Sequence, residues 1–78
     1  MRVEDLVGAK VWVKQANGEE LTGFISSVPK PVDLESTTSS IAASIFRIDL
    51  SSGDVIETSG FNITGMEKEG LTFRKRPK

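Results

Sequence analysis

The densest chemistry in the sequence is the run Lys10-Val11-Trp12-Val13-Lys14. On a strand alternate residues share a face, so Lys10, Trp12 and Lys14 stand together while Val11 and Val13 point the other way. An aromatic ring between two cations offers a platform where an unpaired base could stack on Trp12 with the lysines on phosphate, worth about 1–3 kcal/mol per base. The same trio suits plain packing, with the ring against a neighbouring strand or subunit and the lysine stems along it, and that simpler use is the favoured one.

Other chemistries lack their parts. The 78-residue chain has no Cys, His or Tyr, although it carries ten Lys and Arg and eleven Asp and Glu. Without thiolate or imidazole there is no cysteine nucleophile, histidine base, zinc site of the usual ligands or disulfide framework, so neither enzyme activity nor a metal or cofactor is expected. Glu19, Glu20, Asp49, Asp54 and Glu57 fall in or near expected turns, and nothing in the pattern sets two of them across one cleft. Solubility and turn formation explain them. Arg47 and Asp49 read as a solvated face, and Phe61 as core or subunit contact. The seven glycines are scattered rather than grouped into a phosphate loop.

The charge is unevenly distributed. Residues 74–78 hold four of the ten basic groups, so residues 1–73 carry six basic against eleven acidic groups, a charge of −5 beside a tail of +4. An acidic body lacks the broad positive face of a general nucleic-acid binder. The tail reads as a solvated terminus that could touch phosphate as a flexible arm. The longest apolar run falls far short of the ~18 residues of a membrane span, and the first residues lack a signal-peptide hydrophobic region. A soluble, cytoplasmic protein with no membrane contact is expected.

The elements that must position these residues are short. Val3, Leu6 and Val7 at i, i+3 and i+4, followed by Gly8, suit one or two helical turns. Strands are expected over 10–14 and 20–27, joined at Asn17-Gly18, with Gly23 as a bulge or bend. Residues 28–40 contain Pro29, Pro31 and the polar run Ser36-Thr37-Thr38-Ser39-Ser40, and read as a long flexible loop. Alternation over 41–50 predicts a third strand, with Phe46, Ile48 and Leu50 facing one way. Further strands follow at 55–59, 63–67 and 71–74. The sum is an all-β chain: a single domain over 1–73 built as a small, strongly bent antiparallel sheet or barrel of five or six strands after a short N-terminal helix, with a basic tail at 74–78.

These residues resemble the Sm and Sm-like family. Asp5-Leu6-Val7-Gly8-Ala9-Lys10-Val11-Trp12-Val13 and Asn17-Gly18-Glu19-Glu20-Leu21-Thr22-Gly23-Phe24-Ile25 look like its first motif, and Ile63-Thr64-Gly65-Met66 sits where the family carries its Ile-Arg-Gly-Asn or Ile-Arg-Gly-Asp signature. The resemblance covers about two thirds of the chain. It implies a five-stranded Src-homology-3-like barrel that pairs its fourth strand with the fifth of the next copy to form a homo-oligomeric ring, with Val55, Glu57, Ile63 and Met66 at the interface. A small core gains from such pairing, since a domain of this size buries only about 60% of its unfolded surface and open edges invite added strands. The alternative is a monomeric barrel that guards its edges with Glu57, Glu67 and the basic tail.

The resemblance also implies single-stranded RNA as a ligand, read by an Asp and an Asn after the second strand and by the Arg of the second motif. A gapless count puts Pro29 at the Asp position and Asp33 at the Asn position, while Thr64 replaces the Arg, Gly65 is kept and Met66 replaces the final Asn or Asp. Asp33 offers no donor and adds negative charge. The candidate RNA-binding set is therefore Lys10, Trp12, Lys14, Asp33, Thr64 and Gly65. The rival reading is an oligomeric protein-interaction or structural module that uses the 28–40 loop and strand edges to meet another protein and binds no RNA.

Overall fold

The computed structural model describes residues 2–69 and the backbone of residues 71–74. A 3-10 turn at Val3–Leu6 leads into β1 (Lys10–Lys14) and β2 (Glu20–Lys30). Helix α1 (Thr37–Ala43) follows, then β3 (Ile45–Leu50), β4 (Val55–Ser59), a 3-10 turn at Gly60–Asn62, β5 (Ile63–Lys68) and β6 (Leu71–Arg74). All six strands belong to one sheet in the order β4-β3-β2-β1-β5-β6, and every pairing is antiparallel. Most of the described chain is β, in agreement with the alternating pattern. The expected small antiparallel sheet of five or six strands has six, with β4 at one end and β6 at the other.

Alternation dictates the core. Val11 and Val13 of β1, Ile25 of β2, Phe46, Ile48 and Leu50 of β3, and Ile63 and Met66 of β5 all point inward, and Val3, Leu6 and Ala9 from the N-terminal segment close over them. Each fully buried branched side chain contributes about 1.5–3 kcal/mol, so these few residues carry most of the folding free energy. Lys68 ties the N-terminal turn down by donating from Nζ to the carbonyls of Asp5 and Val7. Of the spaced residues Val3, Leu6 and Val7, the first two are buried and Val7 is exposed.

The Asn17-Gly18 turn and the turn at Ser51–Gly53 are built alike. In each, a glycine with φ near +90° donates its N–H back three residues, Gly18 to Gln15 and Gly53 to Leu50, and the flanking pair Gln15/Glu19 or Leu50/Asp54 is joined by a hydrogen bond of 2.8 Å. Only glycine takes that conformation without strain, which is why these two positions end their strands so sharply. Gly23 carries no bulge, since the β1–β2 ladder runs straight through it. The register shifts lie instead between Trp12 and Val13 and beyond Ile25.

The segment expected as a loop over 28–40 departs most from the sequence pattern. β2 continues through Pro29 to Lys30, tolerated because the β2–β3 ladder skips from the Ser27/Arg47 pair to the Lys30/Ile45 pair and asks no donor of the proline. Residues 37–43 then form a helix, so Ile41 belongs to α1 and the third strand starts at Ile45 rather than 41. The helix's inner face is polar in type but not in environment. Ser40 and Ser44 are buried beside Ile41, and the Ser44 hydroxyl donates to the Ser40 carbonyl at 2.7 Å while accepting from Val32 N–H at 2.9 Å. Ser40 accepts from Leu34 N–H at 2.7 Å, and the Ser36 hydroxyl caps the helix by accepting from Ser39 N–H. Two serines thus clasp the 31–35 strap to the helix, and α1 rests on Gly60. A methyl group added there would lie 1.7 Å from the Ile41 carbonyl oxygen, so no larger residue fits.

Among the described residues no helix is long and apolar enough to cross a membrane. The basic tail expected at 74–78 lies outside the described residues apart from the backbone of Arg74.

The clasp yields a test. Replacing Ser44 with Ala removes the partner of the part-buried Val32 N–H, and urea unfolding should show a loss of about 0.5–1.5 kcal/mol. An unchanged midpoint would mean that the strap is not held by that hydroxyl.

Candidate interaction surface

Residues directly opposite each other in an antiparallel ladder point to the same side, so the registers assemble the outer face row by row. One row reads Glu67, Lys10, Phe24, Asp49 and Val55 across β5, β1, β2, β3 and β4. The next holds Gly65, Trp12 and Thr22, and the last Lys14 and Glu20. The expected grouping of Lys10, Trp12 and Lys14 on one face is therefore present, with Val11 and Val13 buried behind it.

The chemistry of that face is more balanced than the trio alone suggests. Lys10 Nζ lies 5.3 Å from the centre of the Trp12 ring, a cation–π contact that covers part of the stacking surface. Glu67 is the register partner of Lys10 and Glu20 that of Lys14, and Asp49 adds a third carboxylate to the face. Two cations among three anions make a face of alternating sign. Phosphate binding draws its affinity from uncompensated positive charge, which this arrangement does not supply.

Thr64 and Gly65 join the trio and Asp33 does not. Gly65 sits opposite Trp12, and the Thr64 hydroxyl lies 2.7 Å from Glu20 Oε2 and 3.2 Å from the Trp12 carbonyl oxygen. With one proton to donate, it serves one acceptor at a time, and the shorter contact favours the carboxylate. Where an arginine would add a cation, Thr64 instead anchors an anion. Asp33 is exposed on the strap between β2 and α1, and no hydrogen bond or ion pair among the described residues links it to the trio.

The four candidate interface residues divide in two. Val55 is 58% exposed on the outer face of β4, and Glu57 accepts from Arg47 at 2.6 and 3.1 Å in a half-exposed pair. Ile63 and Met66 are fully buried in the chain's own core, so they offer a partner only main-chain groups. The edge expected at 63–67 is itself largely taken: β6 pairs with Gly65 through Lys68. β4, by contrast, has β3 on one side and, among the described residues, no strand on the other.

Beside β4 lies an open groove of about 760 Å³ between the β1–β2 turn and the Gly60–Asn62 turn, lined in part by Lys14, Asn17, Ile56, Glu57 and Phe61. Phe61 is 70% exposed, so of the expected core or subunit-contact places the core is ruled out. Sequence reasoning also missed Phe24. It is 53% exposed directly opposite Lys10 and one row from Trp12, and only the register, not the alternation of β2 alone, brings these three together. Among the described residues no three carboxylates lie close enough to hold a metal ion.

No family model, curated protein or solved structure matches the chain.

Trp12 is the chain's sole tryptophan, so its fluorescence reports on this face. Lys10→Gln should lower stability by about 0.5–1 kcal/mol and alter Trp12 emission, because an exposed cation–π contact is lost. Unchanged emission and stability would place Lys10 away from the ring in solution.

Proposed function

We propose that this protein is a non-enzymatic module that assembles with copies of itself by pairing sheet edges, in the head-to-tail manner that closes into a ring. The observation that carries this reading is the placement of β4 and the β5–β6 hairpin at opposite ends of one open sheet. Two different edges on one chain make a heterologous contact, and repetition of that contact gives a ring when the rotation closes. An open edge in so small a domain is also a standing invitation to add a strand. The exposed Val55 on β4 and the neighbouring groove supply apolar surface to bury in the contact. The resemblance to Sm-like proteins implies β4 paired with β5 of the next copy; here β6 covers most of the β5 edge, and Val55, Glu57 and Phe61 are side chains available at the β4 edge.

Single-stranded RNA is the lesser reading. Trp12 and Phe24 with Lys10 between their rows favour it, and the carboxylates opposite both lysines oppose it.

Native mass spectrometry over a dilution series should show a defined multi-copy species, and Val55→Lys should shift it toward monomer by at least about tenfold in concentration, since a charge on an edge strand discourages pairing. A monomer throughout would sink the proposal. Labelled oligo-uridine titrated at two salt concentrations should bind weakly at low salt and not at high salt. Salt-resistant binding that Trp12→Ala abolishes without unfolding the chain would establish the RNA reading instead.

A further inference from the structure

β5 has two edges, and the structure assigns them unequally. Along β1 it pairs from Ile63 to Glu67, while on its outer side β6 covers Gly65 to Lys68. Only Ile63 and Thr64 are left beyond the β5–β6 register, which is too little for a five-residue strand such as β4. β6 is itself four residues long, ends the sheet and follows β5 after the two residues Glu69 and Gly70. A short terminal strand with one neighbour belongs to the least stable part of a fold and opens before the core does. Opening it would bare the outer backbone edge of Gly65 through Lys68, a stretch anchored by the fully buried Met66.

We propose that β6 is an intramolecular competitor for the β5 edge: it holds that edge closed, and the β4 strand of a second copy takes its place when it opens. The inference rests on the edge-pairing reading above and adds its regulation. The connection of only two residues keeps β6 at high effective concentration, so the closed state dominates at low protein concentration. Assembly then follows the fraction of chains with β6 open, because the apparent dissociation constant equals the intrinsic one divided by that fraction. Assembly should accordingly respond to whatever stabilises or loosens a hairpin far from β4 itself.

The chain contains no cysteine, so one engineered pair can lock the hairpin without competing thiols. Glu67 and Thr72 are direct cross-strand partners, a geometry whose Cα separation of about 4.5–5.5 Å falls inside the disulfide range. In the full-length Glu67→Cys/Thr72→Cys variant, native mass spectrometry over a dilution series should find the oxidised form monomeric where the reduced form of the same protein is assembled, a shift of at least about tenfold. Thr72→Pro, which places a ladder-breaking residue in the middle of β6, should move the midpoint the other way, to concentrations about tenfold below wild type. If the oxidised form assembles as readily as the reduced one, β6 is no gate and the inference falls while edge pairing stands. If wild type, the reduced variant and Thr72→Pro all remain monomeric, the edge-pairing reading falls and the gate with it.

Discussion

Everything in this fold hangs on β1 having a strand on each side. Its five residues join β2, which follows closely in the chain, to β5, which lies some fifty residues on, and Val11 and Val13 behind them form the middle of the core. Because strands pair on two sides only, β1 fixes the order of the rest. β3 and β4 must extend outward from β2, and β6 from β5, so the two ends of the sheet are left to separate elements. The two ends of the sheet, β4 and β6, thus follow from where β1 sits.

The same constraint organises the outer face. Pairing on both sides of β1 brings Glu67 and Glu20 opposite the two lysines that, in isolation, look like a phosphate-binding pair. It also sets Thr64 near Glu20 rather than placing a cation there. Charge that is concentrated along one strand in the sequence is therefore balanced by carboxylates on the neighbouring strands.

The β2-to-β3 connection obeys a different rule. Here stability comes from buried hydroxyls rather than from apolar periodicity. Ser40 and Ser44 satisfy main-chain groups of the strap and of their own helix, and Ile41 and Gly60 lock α1 onto the corner between β4 and β5. That corner is where β4 departs from the rest of the sheet, so the helix helps to hold the free edge in a defined place.

Period-two alternation and glycine turns were sufficient to find β1, the core face of β3 and the later strands, because those signals are local: a side chain's face follows from its parity, and a positive φ follows from a glycine at the right offset. The cluster of Lys10, Trp12 and Lys14 was legible for the same reason. What the residues could not reveal was set by contacts between distant parts of the chain. Serines counted as loop formers became a helix face only once a strap supplied partners for their hydroxyls. Phe24 joined Trp12 only through the register of two strands, and Ile63 and Met66 passed from candidate interface to core because β1 lies on one side of β5 and β6 on the other. Sequence pattern decides which way a residue faces along its own strand. What stands opposite it, and whether an edge is left open, depends on pairings that only the folded chain brings together.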